Sequence, residues 1–285
     1  MATADAALDW RSAALTHPGK VRRLNEDEYL DRPGDGLWAV ADGMGGHHAG
    51  DVASRKVVEA LARVPPSTSL EQLIDACLVN LKAANLDLYL AGQGEGNKLS
   101  GATVVALLCH GEDAALLWAG DSRAYRLRGR GQQAKLEQLT TDHSRVAELV
   151  KRGELAEADA ESHPDANVIT RAVGVREGLE LESKRLIVEP GDTFLLCSDG
   201  LSRYVGPADL ATALEETMVA SAARALQETA LESPARDNIT VVVARAAVAP
   251  DTRTVLNRVG GGHAPRDEDP TERNDDPPGR GDPTP

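Results

Sequence analysis

Apolar residues recur along this chain with two different spacings. Over 49–64 the positions Val52, Ala53, Val57, Ala60, Leu61 and Val64 return every three or four residues. Over 70–90 Leu70, Leu73, Ile74, Cys77, Leu78, Leu81 and Leu88 do the same. That spacing gathers apolar groups on one face of a helix, so two amphipathic helices are predicted. Pro65-Pro66 separates them, and they should therefore pack as an antiparallel pair. Two more helices are predicted over 207–216, where Pro207 takes the favoured first position, and over 219–231.

The second spacing is the short apolar run of strand length. LWAVA (37–41), GATVVALLC (101–109), AALLWAG (114–120), AYRLR (124–128), AKLEQL (134–139), TFLLC (193–197) and ITVVVARAAV (239–248) all have it. The segment 12–30 begins as an edge-like strand and passes into a charged loop. HGED and GRGQ are short enough for hairpins, so the strands between 101 and 139 are predicted to form one antiparallel meander. Residues 140–170 lose the pattern apart from a short helix in SRVAELVKRG, and are expected to run as an excursion over a sheet edge. VITRAVG (168–174) and LELESKRLIV (179–188) return to extended chain. Two helices follow the early strand and two precede the last. The economical arrangement is an α/β (α+β) fold: a four-layer α-β-β-α sandwich of two antiparallel sheets, each covered by a helix pair.

Composition narrows this further. The chain has 285 residues, 41% of them hydrophobic and only 3% aromatic, which suits one generous domain with a core of Val, Leu and Ala. That domain is assigned to 1–249. From 250 the chain turns to Pro, Gly, Asp and Arg without period, and a disordered tail is expected there. A net charge of -14 argues against nucleic acid or an anionic membrane as the main partner. Cys77, Cys109 and Cys197 lie far apart in apolar runs without CxxC spacing and read as reduced core residues of a cytoplasmic protein. No N-terminal stretch has signal-peptide form, and no run approaches the about 20 apolar residues that span a bilayer.

The chemistry concentrates where strands end. Asp42 follows LWAVA, Asp121 follows AALLWAG, Asp199 follows TFLLCS, and Asp237 precedes ITVVVA. Any one of these aspartates would serve as a turn former. Four of them, if the strand ends converge, would place several carboxylates in one small region, and their repulsion would demand a cation. Oxygen ligands of this kind favour Mg²⁺ or Mn²⁺. Two such ions can lower the pKa of a bridging water and provide hydroxide near neutral pH. Arg22, close to Glu26 and Asp27, suits a phosphate group, and the set suggests phosphoester hydrolysis. His47 or His48, in the glycine-rich bend after Asp42, could protonate the leaving alkoxide.

The motifs VRRLNED, AVADGMGGHHAGDVAS, SGATVV, AGDSRAYRLR, TTDHS, HPDANVITRAVG, GDTFLLCSDGLS and DNITVVVAR, in that order, resemble the metal-dependent PPM family of protein phosphatases (protein phosphatase 2C-like), above all its bacterial members. The resemblance covers about residues 13–246 and implies a Ser/Thr phosphoprotein phosphatase with two Mn²⁺ or Mg²⁺ ions. It implies that Asp42 bridges both metals, that the Gly43 carbonyl binds one, and that Asp199 and Asp237 complete the protein ligands. Glu26 and Asp27 would hold metal-bound waters, Arg22 would grip the substrate phosphate, and Asp121 with Asp199 would offer a third metal position. Residues 140–170 would be the family's variable flap. The family further implies a monomer acting on Ser/Thr-phosphorylated proteins and opposing a Ser/Thr kinase. Met44 stands where animal members carry a histidine, which leaves His47 as the candidate acid. Two other readings remain: a phosphoprotein-binding regulator without turnover, and a serine esterase using Ser122 of the GDS motif.

Overall fold

The computed structural model describes residues 8–45, 49–94, 100–160 and 162–248. All belong to the compact unit Met1–Ala249, and the tail expected from 250 lies outside them. In chain order the elements are β1 (Leu8–His17), β2 (Asp27–Arg32), β3 (Leu37–Gly45), α1 (Ala49–Ala62), α2 (Leu70–Gly94), β4 (Ser100–Ala102), β5 (Val104–His110), β6 (Asp113–Ala119), β7 (Arg123–Arg128), β8 (Lys135–Gln138), α3 (Arg145–Lys151), β9 (Glu182–Ile187), β10 (Thr193–Cys197), α4 (Asp199–Ser202), α5 (Pro207–Leu214), α6 (Val219–Glu232) and β11 (Ile239–Val248). One sheet has the order β1-β11-β10-β7-β8. The other runs β2-β3-β5-β6-β9, with β4 also paired to β3.

Period-two alternation builds the layers. In β3, Leu37, Ala39 and Ala41 face the helices α1 and α2, whereas Trp38 and Val40 face the other sheet. β5 and β6 split their side chains the same way. In β10, Phe194 and Leu196 enter the space between the sheets, while Leu195 and Cys197 pack beneath α4, α5 and α6. Strands apolar on both faces need cover on both, and the four-layer sandwich expected from the sequence supplies it. No described helix is long and apolar enough to cross a membrane.

The predicted single meander is wrong. Both hairpins exist, but β5 and β6 lie in one sheet and β7 and β8 in the other. The chain changes sheets at Gly120–Ser122. Gly120 has φ +115°, and a Cβ there would stand 2.5 Å from a Thr103 methyl, so the abrupt turn depends on glycine. In the segment 12–30 the charged loop is present over 20–26, but from Asp27 the chain enters β2, whose DEYLDR pairs with β3. Of the two extended stretches near 180, only Glu182–Ile187 is a strand; residues 168–174 make isolated bridges, Ile169 to Ser144 and Val173 to Ala102.

Trp38 is fully buried between the sheets, with the Trp10 ring of edge strand β1 centred 4.8 Å away. Its indole N–H has no partner among the described residues. Trp38→Ala should therefore lower the unfolding free energy by about 3–5 kcal/mol in urea denaturation. Trp38→Phe keeps most of the ring and removes the unsatisfied donor, and should cost well under half as much. Equal losses in the two variants would contradict this packing.

Candidate metal centre

Antiparallel pairing brings the chemistry to one end of the sandwich. The first residue of β2, Asp27, stands opposite Asp42 of β3. β10 ends beside the start of β11, Cys197 opposite Val241, which sets Asp199 at the first turn of α4 and Asp237 just before β11. The change of sheets after β6 adds Asp121. The Asp42 carboxyl accordingly feels Asp27, Asp199, Asp121 and Asp237 together.

Asp42 was expected in a turn after the strand, but β3 continues to Gly45 by pairing with β4. At Asp42 the ladder is interrupted: its N–H donates to the Thr103 hydroxyl at 3.1 Å, while the Thr103 N–H donates to its carbonyl at 2.8 Å. Gly43 is hemmed in, since a Cβ there would lie 2.1 Å from the Gly50 carbonyl oxygen and 2.6 Å from that of Glu26. Only glycine allows the start of α1 and the Glu26 loop to close on this strand.

Several supports escaped the sequence reading. Asn238 accepts from the Glu26 N–H at 2.8 Å and donates to the Pro18 and Leu24 carbonyls, pinning the Arg22–Asp27 loop to the start of β11. Ser198 donates to Asp27 at 2.7 Å and accepts from the Thr240 N–H. Buried His143 accepts from the Gly120 N–H at 3.2 Å and lies 2.9 Å from Glu182. The adjacency of DN and SD to strand ends was the available signal. Ser122 is buried and bonded to the Thr103 hydroxyl at 2.7 Å, so the esterase reading loses its nucleophile.

Burial pushes the Asp42 and Asp199 carboxyls up, and raises Asp27 and Asp121 to about 7, with neighbouring carboxylates adding to the shift. Burial also raises Glu26, against the pull of Arg22. One carboxylate oxygen on each of Asp27, Asp51, Asp121 and Asp199 is buried without a hydrogen-bond partner. Two acids also face arginines: Arg22 Nη2 lies 3.0 Å from Asp237 Oδ2, and Arg203 Nη2 lies 2.6 Å from Asp199 Oδ2. No three His, Cys, Asp or Glu groups among the described residues form a ready ligand set as they stand. The donor chemistry nonetheless fits hard divalent cations: orphaned, mutually repelling oxygens with no thiolate or imidazole among them. His47 lies outside the described residues.

A family model described as Protein phosphatase 2C matches residues 20–236. The Ser/Thr protein phosphatase PstP of Mycobacterium tuberculosis is 39% identical over 240 residues, 82% of this chain and 44% of that protein, so the chain spans less than half of that relative's length. Among solved structures, PppA, described as a key regulatory component of T6SS in Pseudomonas aeruginosa, is 44% identical, with TM-score 0.78 over 84% of this chain and 99% of that one. The catalytic domain of PstP in complex with two manganese ions is 36% identical, with TM-score 0.74 over 84% of this chain and 99% of that one.

The carboxyl pKa values set the pH response of the metal-free chain. Asp27 and Asp121 titrate at about 7 when folded and about 3.9 when unfolded. Between these values the folded state binds more protons, so this contribution to stability falls as pH rises from about 4 to 7. In chelator, Tm should fall between pH 5 and pH 8, and less steeply in Asp27→Asn. Saturating Mn²⁺ at pH 8 should restore Tm, because the cation binds only the folded cluster. An identical pH slope in Asp27→Asn would contradict the buried-carboxylate account.

Proposed function

The chain belongs to the protein phosphatase 2C family, and from that premise we propose that it is a metal-dependent Ser/Thr phosphoprotein phosphatase, opposing a Ser/Thr kinase. The observation that carries this reading is the convergence of Asp42, Asp199, Asp121 and Asp237 with orphaned oxygens beside a half-exposed arginine.

Asp42, the Gly43 carbonyl, Asp199 and Asp237 would hold two Mn²⁺ or Mg²⁺ ions; Glu26 and Asp27 would bind their waters, and Asp121 with Asp199 would hold a third ion. When bound, the cations supply Lewis acidity and a more acidic water near neutral pH. The neighbours of these residues fix their positions. Ser198 orients Asp27, and Asn238 holds the backbone of Glu26. Arg22 shares Nη2 with Asp237 while half of its side chain remains exposed, which leaves donors for two oxygens of a phosphate group. That contact exists before the phosphoester bond breaks, so Arg22 acts mainly in substrate binding. His47 is the proposed proton donor to the leaving hydroxyl.

A phosphothreonine peptide with Mn²⁺ tests the proposal. Asp42→Asn or Asp199→Asn should lower phosphate release by more than the about 10- to 100-fold typical of losing an outer-sphere partner, with the circular dichroism spectrum retained. Near-native rates at saturating Mn²⁺ would refute the ligand assignment. Arg22→Ala should raise KM about tenfold with kcat little changed; the reverse pattern would move Arg22 into transition-state stabilisation. A folded, metal-loaded wild-type chain that binds the peptide without releasing phosphate would instead be the non-catalytic regulator.

A further inference from the structure

α2 is apolar on two opposite faces. Leu73, Cys77, Leu81 and Leu88 form the stripe buried in the core, as helical spacing requires. Val79, Ala83, Leu86 and Leu90 form a second stripe on the other side of the helix, turned away from the sheet. This outer stripe is open to solvent, with 67% of Val79, 43% of Leu86 and 57% of Leu90 exposed. Single exposed apolar residues are ordinary on a protein surface, but these fall in line along one face. The outer face of α6 shows the usual alternative: Ser221, Arg224, Glu228 and Glu232 are its exposed positions. A helix with apolar residues on both faces calls for cover on both.

The spacing of the stripe says what covers it. Steps of four, three and four residues are the alternation by which one helix seats against a second of the same sequence. In a parallel pair each stripe residue meets its own copy, and the small Ala83 lets the helices approach closely. The flanks then decide the orientation. Lys82 and Asp87 stand five residues apart on opposite flanks of the stripe, so a parallel pair brings each Lys82 beside the partner's Asp87. Asp87 already has Lys56 Nζ at 3.4 Å, yet its side chain keeps 64% exposure and can take a second cation. An antiparallel pair would set like flanks together and forgo both ion pairs.

We propose that the outer face of α2 is a self-association surface, on which two copies of the chain pair in parallel through Val79, Ala83, Leu86 and Leu90, flanked by two ion pairs between Lys82 and the partner's Asp87. The inference stands on α2 alone and is separate from the phosphatase reading. Four side chains per copy fall short of the about 20–30 residues a side of a standard interface, and a net charge of -14 on each copy opposes contact. The pair should therefore be weak, with a dissociation constant of the order of 10–100 µM.

Sedimentation equilibrium of the full chain tests it. Leu86→Glu should weaken association about tenfold or more, with Tm little changed because the position is exposed. Lys82→Glu should weaken it about fivefold, and Lys82→Glu/Asp87→Lys should recover most of the loss, since the double change only reverses each ion pair between copies. Val79→Cys should give a disulfide-linked dimer under mild oxidation; Cys77, Cys109 and Cys197 are buried and leave the wild type unlinked. A chain still monomeric at about 200 µM, the state that the family resemblance implies, would overturn the proposal. Association that survives Leu86→Glu would overturn it too, by placing the contact elsewhere, residues 250–285 included. Failure of the charge reversal to recover binding, or of Val79→Cys to cross-link, would overturn the parallel pair.

Discussion

Carboxylates buried beside one another repel, and the structure depends on how that repulsion is managed where its two sheets meet. Asp27, Asp42, Asp121 and Asp199 lie at the end of a core built mainly from Val, Leu and Ala around Trp38, Trp118 and Phe194. A protein can neutralise such groups by protonation, by guanidinium pairing or by metal binding. Two of these are visible here: burial raises the carboxyls, and Arg22 and Arg203 approach Asp237 and Asp199. All three solutions draw on the same lone pairs, so a proton, an arginine and a cation would compete for them.

The apolar architecture makes that repulsion tolerable. Strands with apolar side chains on both faces are sealed by helices on the outside and by each other within, so the backbone at their ends has little freedom to drift apart. Glycines then permit approaches that no other residue allows, as at Gly43 against the Glu26 and Gly50 carbonyls. Asn238 and Ser198 join the end of one sheet to the beginning of the other. The acids are thus set by strand ends, and the arginines approach them from a loop and from the end of a short helix.

Much of the layer order was legible in the sequence, because helical spacing and two-sided apolar runs have few ways to pack. The strand-end aspartates were legible for the same reason: strand boundaries mark where side chains must converge or disperse. Sheet membership was less so. Nothing local in AGDSRA distinguishes a hairpin from a change of sheet; the difference lies in Gly120 meeting Thr103, a contact between residues 17 apart. β2 was hidden by its charges: Asp27, Glu28, Asp31 and Arg32 leave only Tyr29 and Leu30 as apolar positions, too few to mark a strand. Asn238 was overlooked because its role comes from a partner 212 residues away.

Crystals of the chain soaked in Mn²⁺ and measured at the manganese absorption edge test the central point most directly. Anomalous peaks should appear between the carboxylates of Asp42, Asp199 and Asp237, with the orphaned oxygens turned toward them. Peaks confined to other surface acids, or none at saturating Mn²⁺, would contradict the assignment of this cluster as a metal centre.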